Sequence, residues 1–137
     1  MPHPPLPSRA DEFLHRPNPA VIATLRTDGS PHTAATWYDW EGGRVLVNMD
    51  VSRRRRAHMQ PGARVALTAL DKSSWYRHVS VIGRVASLEL DRGLAGIDRL
   101  ARRYTGRPYR RRDSERWNAW IEVDSWHGWT DGVPWDE

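Results

Sequence analysis

Short apolar or alternating runs make up most of the chain, and turn residues separate them. Four of these runs have the length and the residue types of β-strands, at residues 20–25, 32–40, 44–49 and 64–70. Asp28-Gly29 follows the first run, and such a pair is typical of the tight turn of a hairpin. Gly42-Gly43 marks a second hairpin turn. The pattern therefore predicts a mainly β chain, with minor α content, built from successive hairpins.

A fifth run, from about Tyr76 to Leu90, is longer and carries apolar residues on both faces. One face has Val79, Val81, Gly83 and Val85, and the other has Ile82, Ala86 and Leu88. A strand that is buried on both sides needs a cover outside its own barrel. We therefore expect a subunit interface on this strand.

Helical patterns appear in two further places. The segment 8–14 predicts a short helix, with Ser8 and Asp11 forming a capping box. Apolar residues recur at helical spacing over residues 94–104, and Gly106 is expected to end that helix. Because most elements are strands joined by short turns, we expect a small barrel, in which few sheet edges stay exposed.

A last strand is predicted at Arg116–Val123, where apolar and polar residues alternate. Trp117, like Trp37 on the second strand, falls on the apolar face, and we expect both indoles in the core. Trp120 falls on the polar face, so we expect it at an interface or a pocket. The predicted organisation is a Pro-rich lead with a short helix at 1–19, one barrel domain at 20–129 and a tail at 130–137.

Four consecutive arginines, residues 53–56, follow the third strand and occupy the first turn of a short predicted helix. Cations are disfavoured at a helix N-terminus, which carries partial positive charge and unpaired N–H groups. A bound anion, most simply a phosphate, would reconcile these arginines with Ser52 as the N-cap. The alternative is a solvated basic turn.

Composition narrows the function classes. The chain has 137 residues, enough for one compact domain, and it has no cysteine, which excludes disulfides and thiol chemistry. Its net charge of +4 comes almost wholly from arginine, since Lys72 is the only lysine, and this favours anionic partners. Neither a signal segment nor an apolar stretch of membrane-spanning length is visible, so we expect a cytoplasmic protein without membrane contact. The histidines lack metal-ligand spacing.

The order and spacing of several motifs over residues 20–129 resemble the split β-barrel oxidoreductases related to pyridoxamine phosphate oxidase. The resemblance is closest to the actinobacterial deazaflavin-dependent branch. The motifs that carry it are, besides the arginine helix, Ile22 to His32 (IATLRTDGSPH), Thr36 to Arg44 (TWYDWEGGR), Arg64 to Leu67, Val81 to Val85, Leu100 to Tyr109 and Trp126 to Trp129.

The resemblance implies a split β-barrel homodimer that binds coenzyme F420, or alternatively FMN, between its subunits. Ser52, Arg53 and Arg55 match the phosphate-binding positions, although many relatives have lysine at Arg55, and Arg54 or Arg56 would reach the glutamate tail. The remaining positions implied to touch the cofactor are Asn48 at the pocket floor, Tyr76 and His78 beside the ring or tail, and His32. The basic loop 107–112 is either solvated or in contact with the tail.

The activity that the resemblance implies is hydride transfer between the deazaflavin and a conjugated small-molecule electron acceptor. His78, His32 and Tyr38 are candidate proton donors, and no catalytic role is assigned to any of them. One alternative is an FMN-binding protein of the same fold that acts as an oxidase, a reductase or a sensor, and a haem-binding member is a related possibility. A barrel that binds single-stranded nucleic acid is disfavoured, because 17 acidic residues nearly balance the 21 basic ones.

Overall fold

A computed structural model describes residues 2–50, 54–130 and 133–135, with the side chains of all of these except residues 54 and 55. The strands are β1 (Ala20–Leu25), β2 (Pro31–Thr36), β3 (Asp39–Glu41), β4 (Arg44–Asp50), β5 (Arg64–Leu70), β6 (His78–Leu90), β7 (Arg116–Thr130) and β8 (Val133–Pro134). The helices are α1 (Ser8–Leu14), α2 (Arg54–Ala57) and α3 (Ala95–Thr105), and a 3₁₀ turn at Arg92–Leu94 leads into α3.

All strands pair antiparallel in one sheet with the order β2-β1-β5-β6-β7-β4-β3, and β8 adds to β7. Strands β2 and β3 are the two ends of this order, and no hydrogen-bonded ladder joins them in the described part of the chain. The sheet therefore curls into a barrel that stays open on one side. This confirms the prediction of a mainly β split barrel.

One apolar core fills the barrel, and its residues come from almost every element. It includes Phe13, Leu14, Ile22, Val45, Val47, Met49, Leu67, Val79, Val81, Val85, Ala119 and Ile121. These side chains alternate along their strands with outward-facing ones, as the period of a strand requires. Because Phe13 and Leu14 belong to this core, helix α1 closes one end of the barrel.

The two faces of β6 differ in this single chain. Val79, Val81 and Val85 are buried in the barrel, whereas Ile82 on the opposite face is half-buried and Ala86 is exposed. The outward face continues across β1, where Val21 and Leu25 are also exposed. An apolar outer face matches the expected subunit interface, which stays a prediction.

The predicted second strand, 32–40, was wrong in its continuity, because it is broken at Trp37 and Tyr38. Tyr38 is fully buried, and its hydroxyl donates to the carbonyl of Leu14 at 2.9 Å. Asn18 in turn donates to that hydroxyl at 3.0 Å. The chain leaves the β2 ladder because Tyr38 turns inward to hold the end of α1, and β3 starts only afterwards.

One helix cap and two strand boundaries differ from the prediction. Helix α1 begins at Ser8, but its N-cap is Pro7 without a side-chain cap, so the capping box was wrong. Strand β6 begins at His78 because Asp71 closes a turn through hydrogen bonds from Ser73 and Arg77. Strand β7 continues to Thr130, beyond the predicted end at 123, since its second half pairs with the first half of β6.

Candidate functional site

The open side of the barrel contains a cavity of about 510 Å³. It lies between the C-terminal end of β2, the C-terminal half of β4 and helix α3. Its walls are formed by Pro17, Pro19, Ala20, Ala35, Thr36, Trp37, Asn48, Met49, Lys72, Ile97, Leu100, Tyr104, Tyr109 and Arg116. The volume is that of a site for a small molecule or an organic cofactor.

The split of the sheet exposes part of a strand edge at this cavity. Strand β3 pairs with β4 only from Arg44 to Leu46. In the described part of the chain, no strand pairs with residues 47–50 on that side, while their other side pairs with β7. The chain at Met49, which lines the cavity, is therefore not covered by a second strand among the described residues.

Aromatic side chains form one wall of the cavity. The Trp37 and Tyr104 rings stack, with centroids 5.5 Å apart and planes 10° apart, and Tyr109 stands edge-on to Trp37 at 6.1 Å. The Tyr104 hydroxyl donates to the carbonyl of Asn18 at 2.6 Å, and burial raises the pKa of Tyr104. The phenol is therefore neutral at physiological pH. Flat, fixed rings of this kind suit a planar conjugated ligand.

Asp98 of α3 holds the Tyr109 loop in place. Its carboxylate accepts two hydrogen bonds from Arg112, at 2.9 and 3.0 Å, and one from the Tyr109 backbone N–H at 2.9 Å. The bonds from Arg112, followed by the one from Tyr109, lower the pKa of Asp98. Arg112 therefore has a structural partner, and the basic loop is at least partly structural rather than wholly solvated.

The only charged side chains that line the cavity, among the described residues, are the cations Lys72 and Arg116. Arg116 is only 8% exposed, although the sequence predicted it on a polar strand face. Its Nε donates to Asn48 at 2.6 Å, and its guanidinium carbon lies 4.9 Å from the Tyr109 ring centroid. The cavity is therefore suited to an anionic ligand.

Asn48 lines the cavity, its predicted contact with the cofactor ring stays a prediction, and its amide is the centre of a buried polar network. Its Nδ2 donates to Asp91 at 3.0 Å and to Asn118 at 2.7 Å, while its Oδ1 accepts from Arg116. Asp91 also accepts the backbone N–H groups of residues 96 and 97, at the start of α3. Asn48 thus fastens α3 to the sheet beside the cavity.

The arginine helix is α2, Arg54–Ala57, and it lies next to the cavity. Met49 of β4, which lines the cavity, pairs with Trp117 of β7, and Trp117 contacts this helix. The Arg56 guanidinium carbon lies 4.2 Å from the Trp117 ring centroid, which is a close cation–π contact. The Nε of Arg56 and the Nδ1 of His58 are buried and have no hydrogen-bond partner among the described residues. His58 also lies 6.2 Å from His32, centroid to centroid. Unpaired buried nitrogens of this kind can hydrogen-bond a ligand, and the Nε–H of Arg56 can donate to an anion.

The other predicted anion ligands fall outside what the structure covers. Ser52 and Arg53 lie outside the described residues, and the side chains of Arg54 and Arg55 are likewise not described. The phosphate contacts of this segment therefore stay predictions.

Tyr76 lies beside a second groove rather than in the cavity. Tyr76 is 70% exposed, and its ring contacts that of Trp75 edge-on, at 6.0 Å. The groove, of about 420 Å³, shares Pro19 and Lys72 with the main cavity. Tyr76 is therefore placed to contact a ligand that extends out of the cavity.

His78 is not among the residues that line either space. It lies on the sheet between Leu70 and Trp129, and its ring centroid is 6.1 Å from that of His127. The other two candidate proton donors, His32 and Tyr38, do not line the cavity either. The structure thus brings none of the three candidates to the cavity wall.

His78 provides a pH-dependent prediction. Burial, and then the nearby His127, lower the pKa of His78 from its usual 6.5. The unfolded chain then takes up a proton more readily, so the free energy of unfolding should fall as pH drops below 6.5 towards the lowered pKa. His78→Gln should therefore reduce the loss of thermal midpoint between about pH 7.5 and pH 5.5. The control is His3→Gln, which should lose as much thermal midpoint as wild type. If His78→Gln also loses as much as wild type, the prediction is wrong.

The tryptophan predictions had mixed outcomes. The prediction that Trp37 and Trp117 lie in the core was wrong, because both are only half-buried. Trp37 lines the cavity, and the Trp117 ring contacts the Arg56 guanidinium. Trp120 does not line the cavity but stacks against Arg44 and Arg99, at 4.7 and 5.6 Å from their guanidinium carbons. Alternation identifies the face of a strand but not what covers that face.

Sequence reasoning missed the cavity roles of Tyr104, Tyr109, Lys72 and Arg116. One signal was available for Arg116, which is a charge placed directly at the start of a strand. Within the described residues, no group of three or more His, Asp or Glu side chains could hold a metal ion. No helix in the same part of the chain is long and apolar enough to cross a membrane.

Comparison with known proteins supports this architecture. The family model described as pyridoxamine 5′-phosphate oxidase matches residues 6–130. A solved F420 reductase is 25% identical, with 88% of this chain and 98% of that chain covered and a TM-score of 0.79. No curated protein sequence matches the chain.

Two solved structures below 25% identity show the fold alone. A FAD and heme binding protein from Mycobacterium smegmatis is 18% identical, covering 100% of this chain and 77% of that chain, with a TM-score of 0.64. A putative pyridoxamine 5′-phosphate oxidase from Lactobacillus delbrueckii is also 18% identical, covering 86% and 91%, with a TM-score of 0.57.

Proposed function

This chain belongs to the pyridoxamine 5′-phosphate oxidase family, and from that premise we propose that it is a cytoplasmic F420-dependent reductase. Its substrate would be a conjugated small molecule that accepts a hydride. The observation that carries the proposal is the cavity at the split of the barrel, which has aromatic walls and, among the described residues, only cationic charges. The likeness to an F420 reductase over 88% of the chain supports the choice of cofactor.

The residues present fit a planar cofactor with an anionic tail. The ring system would lie in the cavity near Trp37 and Met49. The phosphodiester would lie at the arginine helix, where the buried Nε of Arg56 has no partner in the part of the chain that the structure describes. A phosphate that accepts this N–H would satisfy a donor whose burial is otherwise costly.

Reduced F420, when bound, supplies the hydride, and the substrate carbon that receives it gains two electrons. A proton must then join the substrate to complete the reduction. The tasks of this chain's residues are to orient both partners and to exclude water, and the close-packed Trp37, Tyr104 and Tyr109 rings suit both tasks.

FMN is the second candidate cofactor. It carries a phosphate on a flat ring system, so the unpartnered Nε of Arg56 and the aromatic wall fit it by the same contacts. An FMN-dependent oxidase, a reductase or a sensor would then share this site. The longer anionic tail of F420 makes better use of the surplus of arginine around residues 53–56.

We further propose that the protein is a homodimer. The outward face of the sheet has exposed apolar residues that a single chain leaves uncovered, among them Val21, Leu25 and Trp129 at 38%, 47% and 45% exposure. A second copy would bury this face around a twofold axis. The proposal is supported by the double-sided apolar pattern of β6.

The activity is tested by mixing the protein with reduced F420 and a quinone such as menadione. We expect the protein to speed the recovery of oxidised F420 absorbance over the reaction without protein, and reduced FMN to support a slower reaction. Faster turnover with reduced FMN would move the protein to the FMN-dependent class. A lack of acceleration with either cofactor, across quinone and enone acceptors, would contradict the proposal.

A further inference from the structure

We propose that Arg116 selects substrates that carry a carboxylate on a planar conjugated ring. The inference rests on the proposed function, because it assigns the second partner of the same cavity. It begins from the free hydrogen-bonding capacity of this guanidinium. Only its Nε has a hydrogen-bond partner, Asn48, and its two terminal nitrogens have neither a hydrogen bond nor an ion pair in the described part of the chain.

A buried cation of this kind is costly unless something compensates its charge. Arg116 is 92% buried, and a charge largely removed from water is unfavourable without a partner, while its terminal nitrogens are not among the fully buried unpaired atoms and so stay accessible from the cavity. Asp50 lies opposite Arg116 on β4 but forms neither a hydrogen bond nor an ion pair with it in the described part of the chain. Asp91 is reached only through Asn48. Asp91 already accepts two backbone N–H groups of α3. The terminal nitrogens of Arg116 are therefore left for a ligand.

The surroundings of Arg116 fix its direction. Asn48 holds Nε at 2.6 Å, and the Tyr109 ring lies against the guanidinium at 4.9 Å. A guanidinium held on one edge and one face presents its remaining edge, with its parallel N–H groups, to the cavity that it lines. A carboxylate matches this planar fork with two hydrogen bonds, which a neutral amide or ketone cannot do.

The position of Arg116 on β7 favours the substrate over the cofactor tail. Arg116 and Trp117 are adjacent in a strand, so their side chains point to opposite faces of the sheet. Arg56 of the arginine helix lies on Trp117, so the proposed phosphate site is on the other face. Met49, which pairs with Trp117, also lines the cavity, so both faces meet it, and Arg116 provides a second anion site on the opposite face of β7 from the contact between Arg56 and Trp117.

The test uses the cofactor-free protein with two probes of equal shape, 2-naphthoate and 2-naphthamide. Binding is followed by quenching of tryptophan fluorescence and by calorimetry. We expect wild-type protein to bind 2-naphthoate about tenfold to a hundredfold more tightly than 2-naphthamide, as charge-assisted hydrogen bonds imply. Arg116→Gln should abolish this preference by weakening 2-naphthoate alone, and Arg116→Lys should keep part of it.

The matched control is Arg64→Gln, which removes an exposed arginine outside the cavity and should leave both affinities unchanged. Equal binding of the two probes by wild-type protein would overturn the inference, and this comparison holds even if an Arg116 variant fails to fold. A preference that persists in folded Arg116→Gln would also overturn it.

F420 binding to Arg116→Gln separates this inference from the proposed function. We expect an affinity within about threefold of wild type, since the phosphate contacts lie elsewhere. A loss of F420 affinity as large as the loss of 2-naphthoate affinity would mean that Arg116 holds the cofactor, which overturns the substrate assignment. If wild-type protein binds no F420 but prefers 2-naphthoate, the proposed cofactor fails while the carboxylate site stands.

Discussion

Exchange of Arg53 and Arg55 for alanine in one chain should weaken F420 binding by at least about a hundredfold. Each charge-assisted hydrogen bond to the phosphodiester contributes about 1.5 to 3 kcal/mol, and two such losses multiply in the dissociation constant. The reason lies in the sequence, because four arginines crowd the start of a helix where cations are unfavourable without an anion. Titration of wild-type and double-variant protein, followed by cofactor fluorescence, measures the change.

The control for this double variant is Arg64→Ala, which removes one exposed arginine of β5. Its F420 affinity should equal that of wild type, which excludes a general effect of net charge. The double variant should also keep its thermal midpoint, because the loss of like charges from one helix end does not destabilise that end. A loss of affinity below tenfold would make the phosphate assignment wrong.

Gly83→Ala should prevent the chain from folding stably. A Cβ atom at Gly83 would overlap the backbone carbonyl oxygen and carbon of Glu122 on β7. Since both contacts are backbone, no side-chain rotation can relieve them, and the two central strands would have to separate. We expect a loss of at least about 3 kcal/mol in the free energy of unfolding, at the upper end of overpacking effects.

Chemical denaturation followed by tryptophan fluorescence measures this loss. Ser87→Ala, on the same strand and only half-buried, is the matched control and should change the free energy of unfolding by less than about 1 kcal/mol. A Gly83→Ala protein that unfolds at the wild-type denaturant concentration would show that β6 and β7 are not packed as closely as described.

The strands were predictable because their signals are local. Alternation and turn residues placed β1, β4 and β5 almost at their observed bounds, and Asp28-Gly29 marked the first hairpin. The break at Trp37 and Tyr38 was not predictable in this way. It depends on hydrogen bonds from Tyr38 to the end of α1, and no local pattern reveals a partner 24 residues away.

The candidate site was predictable only in part. The arginine cluster is conspicuous because it violates a local rule; its role as an anion site stays a prediction, with which the Nε of Arg56, unpaired among the described residues, is consistent. Arg116 looked like one polar residue in an alternating strand, because its contacts are with Asn48 of β4 and with Tyr109 of the loop after α3, which are distant or irregular in sequence. Tyr76 and His78 are two residues apart in sequence, but Tyr76 belongs to a turn and is exposed at the second groove, whereas His78 belongs to β6 and lies beside His127.

A fluorescence titration of the purified protein with F420, and separately with FMN, tests the central claim most directly. We expect micromolar or tighter binding of F420 and clearly weaker binding of FMN. Tryptophan emission should be quenched on binding, since Trp37 lines the cavity. Tighter binding of FMN would contradict the assignment of the cofactor. If the protein bound neither cofactor but bound single-stranded nucleic acid through the arginine helix, the proposed function would be wrong.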